Sequence, residues 1–290
     1  MITPKLKNEA FLQDVANAGT AENRFTVWWL GQSGFLLQWR GKHVLLDPYL
    51  SDSLTRKYAS TDKPHIRMTE LVIDPARLDF IDFATSSHNH TDHLDGETLN
   101  PLLEKNPELA LICPEANRDF VADRLNIDAQ FPIGLDDELQ VELHGFTVTG
   151  VPAAHEEVER DDQGRCKFLG YILEFGGWRI YHSGDTMLYD GMVEKLRSFG
   201  RIDLAILPIN GRTPERRVAG NLNGEEAASL GKLLEAGLVI PCHYDMFTFN
   251  TADPRIFAEA AQKIGQPYKI LQCGERWTPP ASEFNLSVSA

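Results

Sequence analysis

The sequence predicts a layered α/β protein, two sheets packed face to face with helices outside, on three observations. Short apolar runs bounded by turn residues recur in two blocks of the chain. Strands dominate the first part of each half, and helical spacing becomes more frequent towards its end. The 290 residues, 42% hydrophobic and 24% charged, are enough to bury a full core. Elements apolar on one face must bury that face, which leaves a small set of layered architectures.

Residues 25–30 (FTVWWL), 35–39 and 43–47 read as successive strands, with Arg40-Gly41-Lys42 as the hairpin between the last two. Residues 81–85 form an apolar run that ends in the polar stretch 86–93, a strand leading into a loop. Residues 94–104 carry helical spacing through Leu99, Leu102 and Leu103. Residues 109–113 read as a strand, and Pro114 opens a helix to about Leu125, proline being favoured at a first helical position. The second block predicts strands at 139–143, 146–151, 168–175 and 178–182, with Gly176-Gly177 as the tight turn between the last two. Beyond it come a helix at 189–198, a strand at 202–209, a helix at 224–236, a strand at 238–241, a helix at 254–264 and a strand at 268–272. Asn223-Gly224 before Glu225 and Glu226 reads as a helix cap with an acidic first turn. No solenoid-length repeat, low-complexity run or long linker marks a boundary, so residues 1–290 are read as one domain.

Forty-two acidic against 28 basic side chains give a net charge of −14. That balance excludes a protein whose main partner is the nucleic-acid backbone, which needs a basic face. It leaves room for a locally positive site, because a bound metal can outweigh its surroundings. Cys113, Cys166, Cys242 and Cys273 have no CxxC spacing, so neither a disulfide scaffold nor a cysteine zinc module is expected, and Cys242 reads as packing. The N-terminus lacks the apolar core and cleavage site of a signal peptide, and no stretch approaches the ~18 apolar residues of a membrane span. A cytoplasmic protein without a membrane partner is expected.

The most informative segment is Ser87-His88-Asn89-His90-Thr91-Asp92-His93-Leu94-Asp95. With 9 histidines in the chain, a chance H-x-H-x-D-H is on the order of 10⁻³, so a histidine-rich surface loop is the weaker reading. Alternate residues of an extended strand point the same way, so His88 and His90 can bind one ion together. A turn after them aims Asp92 and His93 at a neighbouring position. Imidazole and carboxylate suit zinc, manganese or iron(II) rather than thiolate-seeking ions. Three further candidates follow strand ends: His155, Asp185 and His243. Strand ends that open into loops at one rim are where ligands distant in sequence converge.

In order, these residues match the five-part signature of the metallo-β-lactamase fold superfamily, which the chain resembles from about Phe25 to Trp277. The resemblance implies a four-layer αββα sandwich with a dinuclear site at one edge. It implies that His88, His90 and His155 hold one metal and that Asp92, His93 and His243 hold the other, with Asp185 bridging. Trp28-Trp29-Leu30-Gly31-Gln32-Ser33-Gly34, Leu46-Asp47-Pro48, Tyr181-His182-Ser183-Gly184-Asp185-Thr186 and Val239-Ile240-Pro241-Cys242-His243-Tyr244-Asp245 further resemble the group of metal-dependent hydrolases containing L-ascorbate-6-phosphate lactonase.

Two divalent ions, zinc or manganese with iron also admissible, bring +4 against −2 from Asp92 and Asp185. A bridging hydroxide then leaves a small positive core that draws an anionic or carbonyl oxygen. A metal lowers the pKa of bound water from about 15.7 towards 7. The expected function is therefore hydrolysis of an ester by metal-bound hydroxide, a lactone of a phosphorylated or acidic small metabolite first, with Asp92 and Asp185 as catalytic candidates. A phosphodiesterase on the same dinuclear site is the alternative, and a di-iron redox protein, here without its usual flavin-binding domain, comes third. The absence of an export signal disfavours a β-lactamase. The short span between Asp185 and His243 disfavours a processing nuclease, and the few residues after the last motif strand, 281–290, disfavour a hydroxyacylglutathione-type thioesterase.

Around the ligands, His182 either supports one of them or faces solvent as a strand-end histidine. Asp47 either supports a ligand or makes a turn. Tyr244 either donates a hydrogen bond to substrate or packs. Arg212, Arg216 and Arg217 follow a strand that ends near the metal rim, where the guanidinium fork suits phosphate or carboxylate; the alternative is a loop salt-bridged to the acidic surface. His182, Arg212 and Tyr244 are the expected substrate contacts of a small anionic molecule. A homo-oligomer is left open.

Overall fold

A computed structural model describes residues 1–280 of the chain. Residues 281–290, expected to be too few for the helical region of a thioesterase, lie outside the described residues. Two antiparallel hairpins begin the first sheet: β1 (Thr26–Gly31), β2 (Gly34–Trp39) and β3 (Lys42–Leu46). Arg40 and Gly41 both have positive φ, at 51° and 74°, the turn whose twist matches right-handed strands. β4 (Phe83–Thr85), β5 (Ala110–Pro114) and β6 (Ile133–Leu135) add in parallel. The second sheet repeats this plan. β7 (Gln140–Leu143), β8 (Phe146–Pro152), β9 (Leu169–Phe175) and β10 (Trp178–His182) are antiparallel neighbours, and β11 (Leu204–Pro208) and β12 (Leu238–Cys242) continue in parallel. β13 (Arg276–Trp277) returns to pair with β1. The sheet orders are β13-β1-β2-β3-β4-β5-β6 and β12-β11-β10-β9-β8-β7.

β1 and β2 are buried along their whole length rather than in alternation. One side of the sheet meets α1 (Glu9–Ala16), where Phe11 sets its ring edge-on to Trp28 at 6.4 Å and Asp14 accepts from the Trp28 indole at 2.8 Å. The other side meets the second sheet through aromatic contacts: Trp39 and Phe83 lie 5.4 and 5.5 Å from Phe146, and Phe25 lies 5.6 Å from Phe175. α2 (Ser53–Lys57), α3 (Gly96–Lys105) and α4 (Arg118–Leu125) follow the first sheet's strands; α5 (Met192–Ser198), α6 (Gly224–Leu233) and α7 (Pro254–Ile264) follow the second's. α6 starts on a capping box in which Asn223 accepts from the Glu226 amide at 2.9 Å and the Glu226 carboxylate accepts from the Asn223 amide. α7 has Pro254 at its start and Gly265, φ 66°, at its end. Among the described residues no helix is long and apolar enough to cross a membrane.

Three expectations are corrected by the fold. His88 to His90 are not extended: β4 stops at Thr85, where the loop was expected to begin, and the chain turns at once, with the His93 and Leu94 amides both donating to the His90 carbonyl. Pro114 completes β5, and a short 3₁₀ turn at Glu115–Asn117 separates it from α4. Residues 268–272 make only the single bridge Val239–Tyr268 beside β12, because the chain must leave that edge to deliver β13 to the other sheet.

The parallel pairings set the functional edge. Leu46 is level with Thr85, His182 with Ile206, and Pro208 with Cys242. The loops after β3, β4, β8, β10 and β12, with the β1–β2 hairpin, therefore open at one rim.

Candidate metal centre

All seven candidate ligands come together at that rim. Donor atoms of His88, His90 and His155 lie within 4.8 Å of one another, as do those of Asp92, His93 and His243, and those of His88, His93 and Asp185. Asp185 touches both triplets. Its Oδ1 is 3.3 Å from His93 Nε2, and its Oδ2 is 3.3 Å from His243 Nε2 and 3.6 Å from His155 Nε2. The turn at His90 achieves what an extended strand was expected to do: the His88 and His90 rings lie 4.6 Å apart. His90 is exposed, whereas His88, His93, His155, Asp185 and His243 are buried.

The outward nitrogens of three of the histidines are occupied, which turns their inward ones to the centre, whereas His243 Nδ1 has no hydrogen-bond partner among the described residues. Asp47 Oδ2 accepts from His93 Nδ1 at 2.7 Å, Ser87 Oγ meets His88 Nδ1 at 2.9 Å, and the Gly220 carbonyl accepts from His155 Nδ1 at 2.7 Å. Such partners fix the tautomer and aim the lone pair of the other nitrogen. Asp47 is thus a supporter of ligands. It also accepts from the Ser87 amide at 2.9 Å and from the Ser87 hydroxyl. Among the described residues the buried atoms His88 Nε2, His93 Nε2 and Asp185 Oδ1 have no hydrogen-bond partner. Unpartnered buried donors and acceptors are costly, and a convergent set of them with imidazole and carboxylate chemistry fits divalent cations.

Charge at the centre points the same way. Burial raises the Asp185 carboxyl, yet the His243 and His93 imidazoles outweigh it and hold it well below the usual range. Burial lowers the His93 imidazole, but Asp185 and Asp92 overcome it and carry His93 well above the usual value. His88, fully buried with His93 and His90 beside it, is pushed well below. In both cases the attraction between carboxylate and imidazole outweighs burial.

Gln32 is a part of the site for which sequence reasoning assigned no role. Its Nε2 donates to Asp92 Oδ2 at 2.7 Å and lies 3.1 Å from His243 Nε2, while its backbone carbonyl accepts from the His243 amide at 2.9 Å. The signal was its position between Gly31 and Gly34 at a hairpin tip. Three residues that set ligand directions, Gln32, Asp47 and His243, have left-handed backbones, with φ of 51°, 41° and 64°. Gly184 has φ 59°, and a Cβ there would lie 2.5 Å from Ser87 Cβ. Only glycine lets the Asp185 loop reach the His88 loop this closely.

A cavity of about 320 Å³ opens over His90, Asp92, His155, Asp185 and His243. None of the three expected substrate contacts reaches it. His182 is buried beneath the site and donates from Nε2 to the Ser33 carbonyl at 2.9 Å, so it props the hairpin that carries Gln32. Tyr244 is 2% exposed, lies 4.3 Å from the Trp29 ring and donates to the Leu271 carbonyl at 2.5 Å. It packs because His243 takes the inward direction. Arg212 forms a two-pronged pair with Glu226 at 2.6 Å per contact, and Arg217 pairs with Asp62 at 2.9 Å. Arg216 donates to the backbone carbonyls of Asn210 and Thr251. The arginine loop is satisfied by its own surroundings. The cavity's basic residues are instead Lys57 and Arg124.

Residues 42–244 match a family model described as a beta-lactamase superfamily domain. A UPF0173 metal-dependent hydrolase of Methanosarcina mazei is 26% identical over 255 residues, covering 86% of this chain and 96% of that protein. Among solved structures, Igni18, a metallo hydrolase from Ignicoccus hospitalis, gives a TM-score of 0.64 at 22% identity over 89% of this chain and 99% of that one. CmlA, a diiron beta-hydroxylase from Streptomyces venezuelae, gives 0.61 at 19% identity over 88% of this chain and 54% of that one. Both structural likenesses concern the fold.

Proposed function

This chain belongs to the beta-lactamase superfamily and has its layered fold of two mixed sheets flanked by helices, and from that premise we propose that it is a metal-dependent hydrolase of small esters. The observation that carries the reading is the pair of three-donor groups joined through Asp185. In this reading His88, His90 and His155 hold one divalent ion, Asp92, His93 and His243 hold a second, and Asp185 faces both. The donors suit zinc or manganese. Bound ions supply a Lewis acid and a water acidic enough to ionise near neutral pH.

The chain's own residues do the orienting. Asp47, Ser87 and the Gly220 carbonyl keep the outer nitrogens of His93, His88 and His155 engaged. Gln32 holds Asp92 through Oδ2, which leaves Oδ1 to orient the attacking water. Hydrolysis places that water's oxygen on the acyl carbon and a proton on the departing oxygen. The substrate class we assign is a lactone, or another small ester, of a phosphorylated or acidic metabolite. Two things support it: Lys57 and Arg124 line the cavity and form no ion pair among the described residues, and the quoted segments resemble the lactonase group.

The test is a hydrolysis panel on protein reconstituted with zinc or manganese. Sugar-acid phosphate lactones should be opened faster than phosphodiesters, thioesters or β-lactams. Cleavage of diesters alone would replace the reading with a phosphodiesterase. Retained iron with an oxygen-dependent absorption change, and no ester cleavage, would replace it with a di-iron redox protein.

A further inference from the structure

One titratable side chain in the cavity takes no part in the ligand set. His65 lines the same cavity as Asp92, Asp185 and His243, and comes from the long connection between β3 and β4. Its ring is fixed by aromatic neighbours: it stacks on Tyr58 at 4.2 Å and 20°, and stands edge-on to Phe247 at 5.2 Å and to Phe249 at 4.5 Å. Nδ1 lies 3.2 Å from the Lys63 carbonyl, so Nδ1 carries the proton and Nε2 the lone pair. Burial holds the imidazole below its usual range, which keeps it in that neutral form. Among the described residues Nε2 has no hydrogen-bond partner. A phenylalanine would fill the stack equally well; what the histidine adds is one acceptor on the wall of the cavity.

We propose that His65 is a substrate-positioning residue, whose Nε2 accepts a hydrogen bond from a hydroxyl of a polyhydroxylated acid lying against the Tyr58–His65–Phe247 wall, with Lys57 and Arg124 meeting its anionic group. The inference rests on the hydrolase reading and narrows its substrate to the sugar-acid class. Sugar rings and chains present C–H faces that pack on aromatic faces while their hydroxyls seek placed acceptors. Lys57 is exposed and lies over the Tyr58 ring at 5.3 Å. Arg124 is half-buried and spends only Nη1, on the Asn89 and Leu94 carbonyls. Both cations therefore keep donors for an anion. A neutral His65 has no proton at Nε2 to give a leaving group, so its part is recognition.

The test is calorimetric binding to the metal-reconstituted protein of two probes, 6-phosphogluconate and 6-phosphohexanoate, which share length and charge but differ in hydroxyls. Wild type should prefer the hydroxylated probe, and His65→Phe should lose about tenfold of that affinity while binding the other probe unchanged. His65→Gln, which restores an acceptor, should recover part of the preference, and Lys57→Ala should weaken both probes alike. Metal content should be the same in all four proteins. With a hydrolysable sugar-acid lactone, His65→Phe should raise KM by a similar factor and leave kcat nearly unchanged. Equal binding of the two probes by wild type, or an undiminished preference in His65→Phe, overturns the proposal. Probe binding as expected without hydrolysis of any ester sinks the hydrolase reading and spares the positioning role. Hydrolysis with no effect of His65→Phe does the reverse.

Discussion

The two halves of the rim hold their candidate ligands by different means. The first half supplies four of the seven from one irregular loop, His88 to His93, and braces them with side chains: Ser87 on His88, Gln32 on Asp92, Asp47 on His93. The second half supplies His155, Asp185 and His243 one at a time, beyond the ends of β8, β10 and β12. These are set mainly by the backbone, through the Gly220 carbonyl on His155 and the left-handed turns at Gly184 and His243, with the Gln32 amide beside His243 as a side-chain contact. Ligands at strand ends inherit their direction from the sheet. Ligands crowded into a loop have no ladder to aim them, so they need braces.

The comparison breaks most severely at Asp185, where the two halves meet. Asp185→Ala should lower metal content and hydrolysis together, by more than the 10–100-fold typical of a supporting residue; metal analysis and steady-state kinetics on one sample check this, and retention of both removes Asp185 from the site. Asp47→Ala removes the main brace of the loop. A drop of about 10–100-fold in metal affinity is expected, read by competition with a chelator, and an unchanged affinity would show that the loop aims itself. Gln32→Ala should cost less, about tenfold, because Gln32 contacts Asp92 and His243 through one amide. Gly184→Ala tests the backbone side: strain at φ 59° and the overlap with Ser87 should cost about 1–3 kcal/mol, seen as a lower Tm.

Arg212→Ala marks the boundary of the comparison, with the smallest effect. It should leave KM unchanged and cost at most about 1 kcal/mol, because its pair with Glu226 is largely solvent-screened. The hydrogen bonds from the Arg212 guanidinium draw the Glu226 carboxyl below its ordinary value of 4.5, against its burial, which raises it. The pair's contribution is therefore fully present above that value and fades as pH falls through the lower value in the folded chain. Denaturation of wild type and Arg212→Ala should converge in acid; a changed KM would return Arg212 to the substrate.

The convergence of the seven candidate ligands was legible in the sequence because it depends on residue type and on strand-end position, which apolar runs reveal. Asp47 was legible as a possible brace but its partner was not, since His93 is brought to it only when β3 and β4 pair. The arginine loop stayed open between substrate contact and salt bridge because proximity along the chain to a rim strand says nothing of Glu226, which becomes a partner once α6 folds. The cavity wall was not legible at all: Tyr58 and His65 lie in a segment without period, and they meet Phe247 only in the folded chain. β6 and β13, of three and two residues, are too short to show a period.

The left-handed backbone at Gln32, Asp47 and His243 has a consequence for engineering. Each such residue costs of order 1–3 kcal/mol unless it is glycine, so glycine there is the obvious stabilising substitution on backbone grounds. Each would also delete a side chain that aims or belongs to the centre. Thermostability and turnover are thus set against each other at these three positions. A selection for heat resistance alone should drift towards glycine at the rim and lose function, whereas one that also demands function should find its gains in the helices and surface loops away from it.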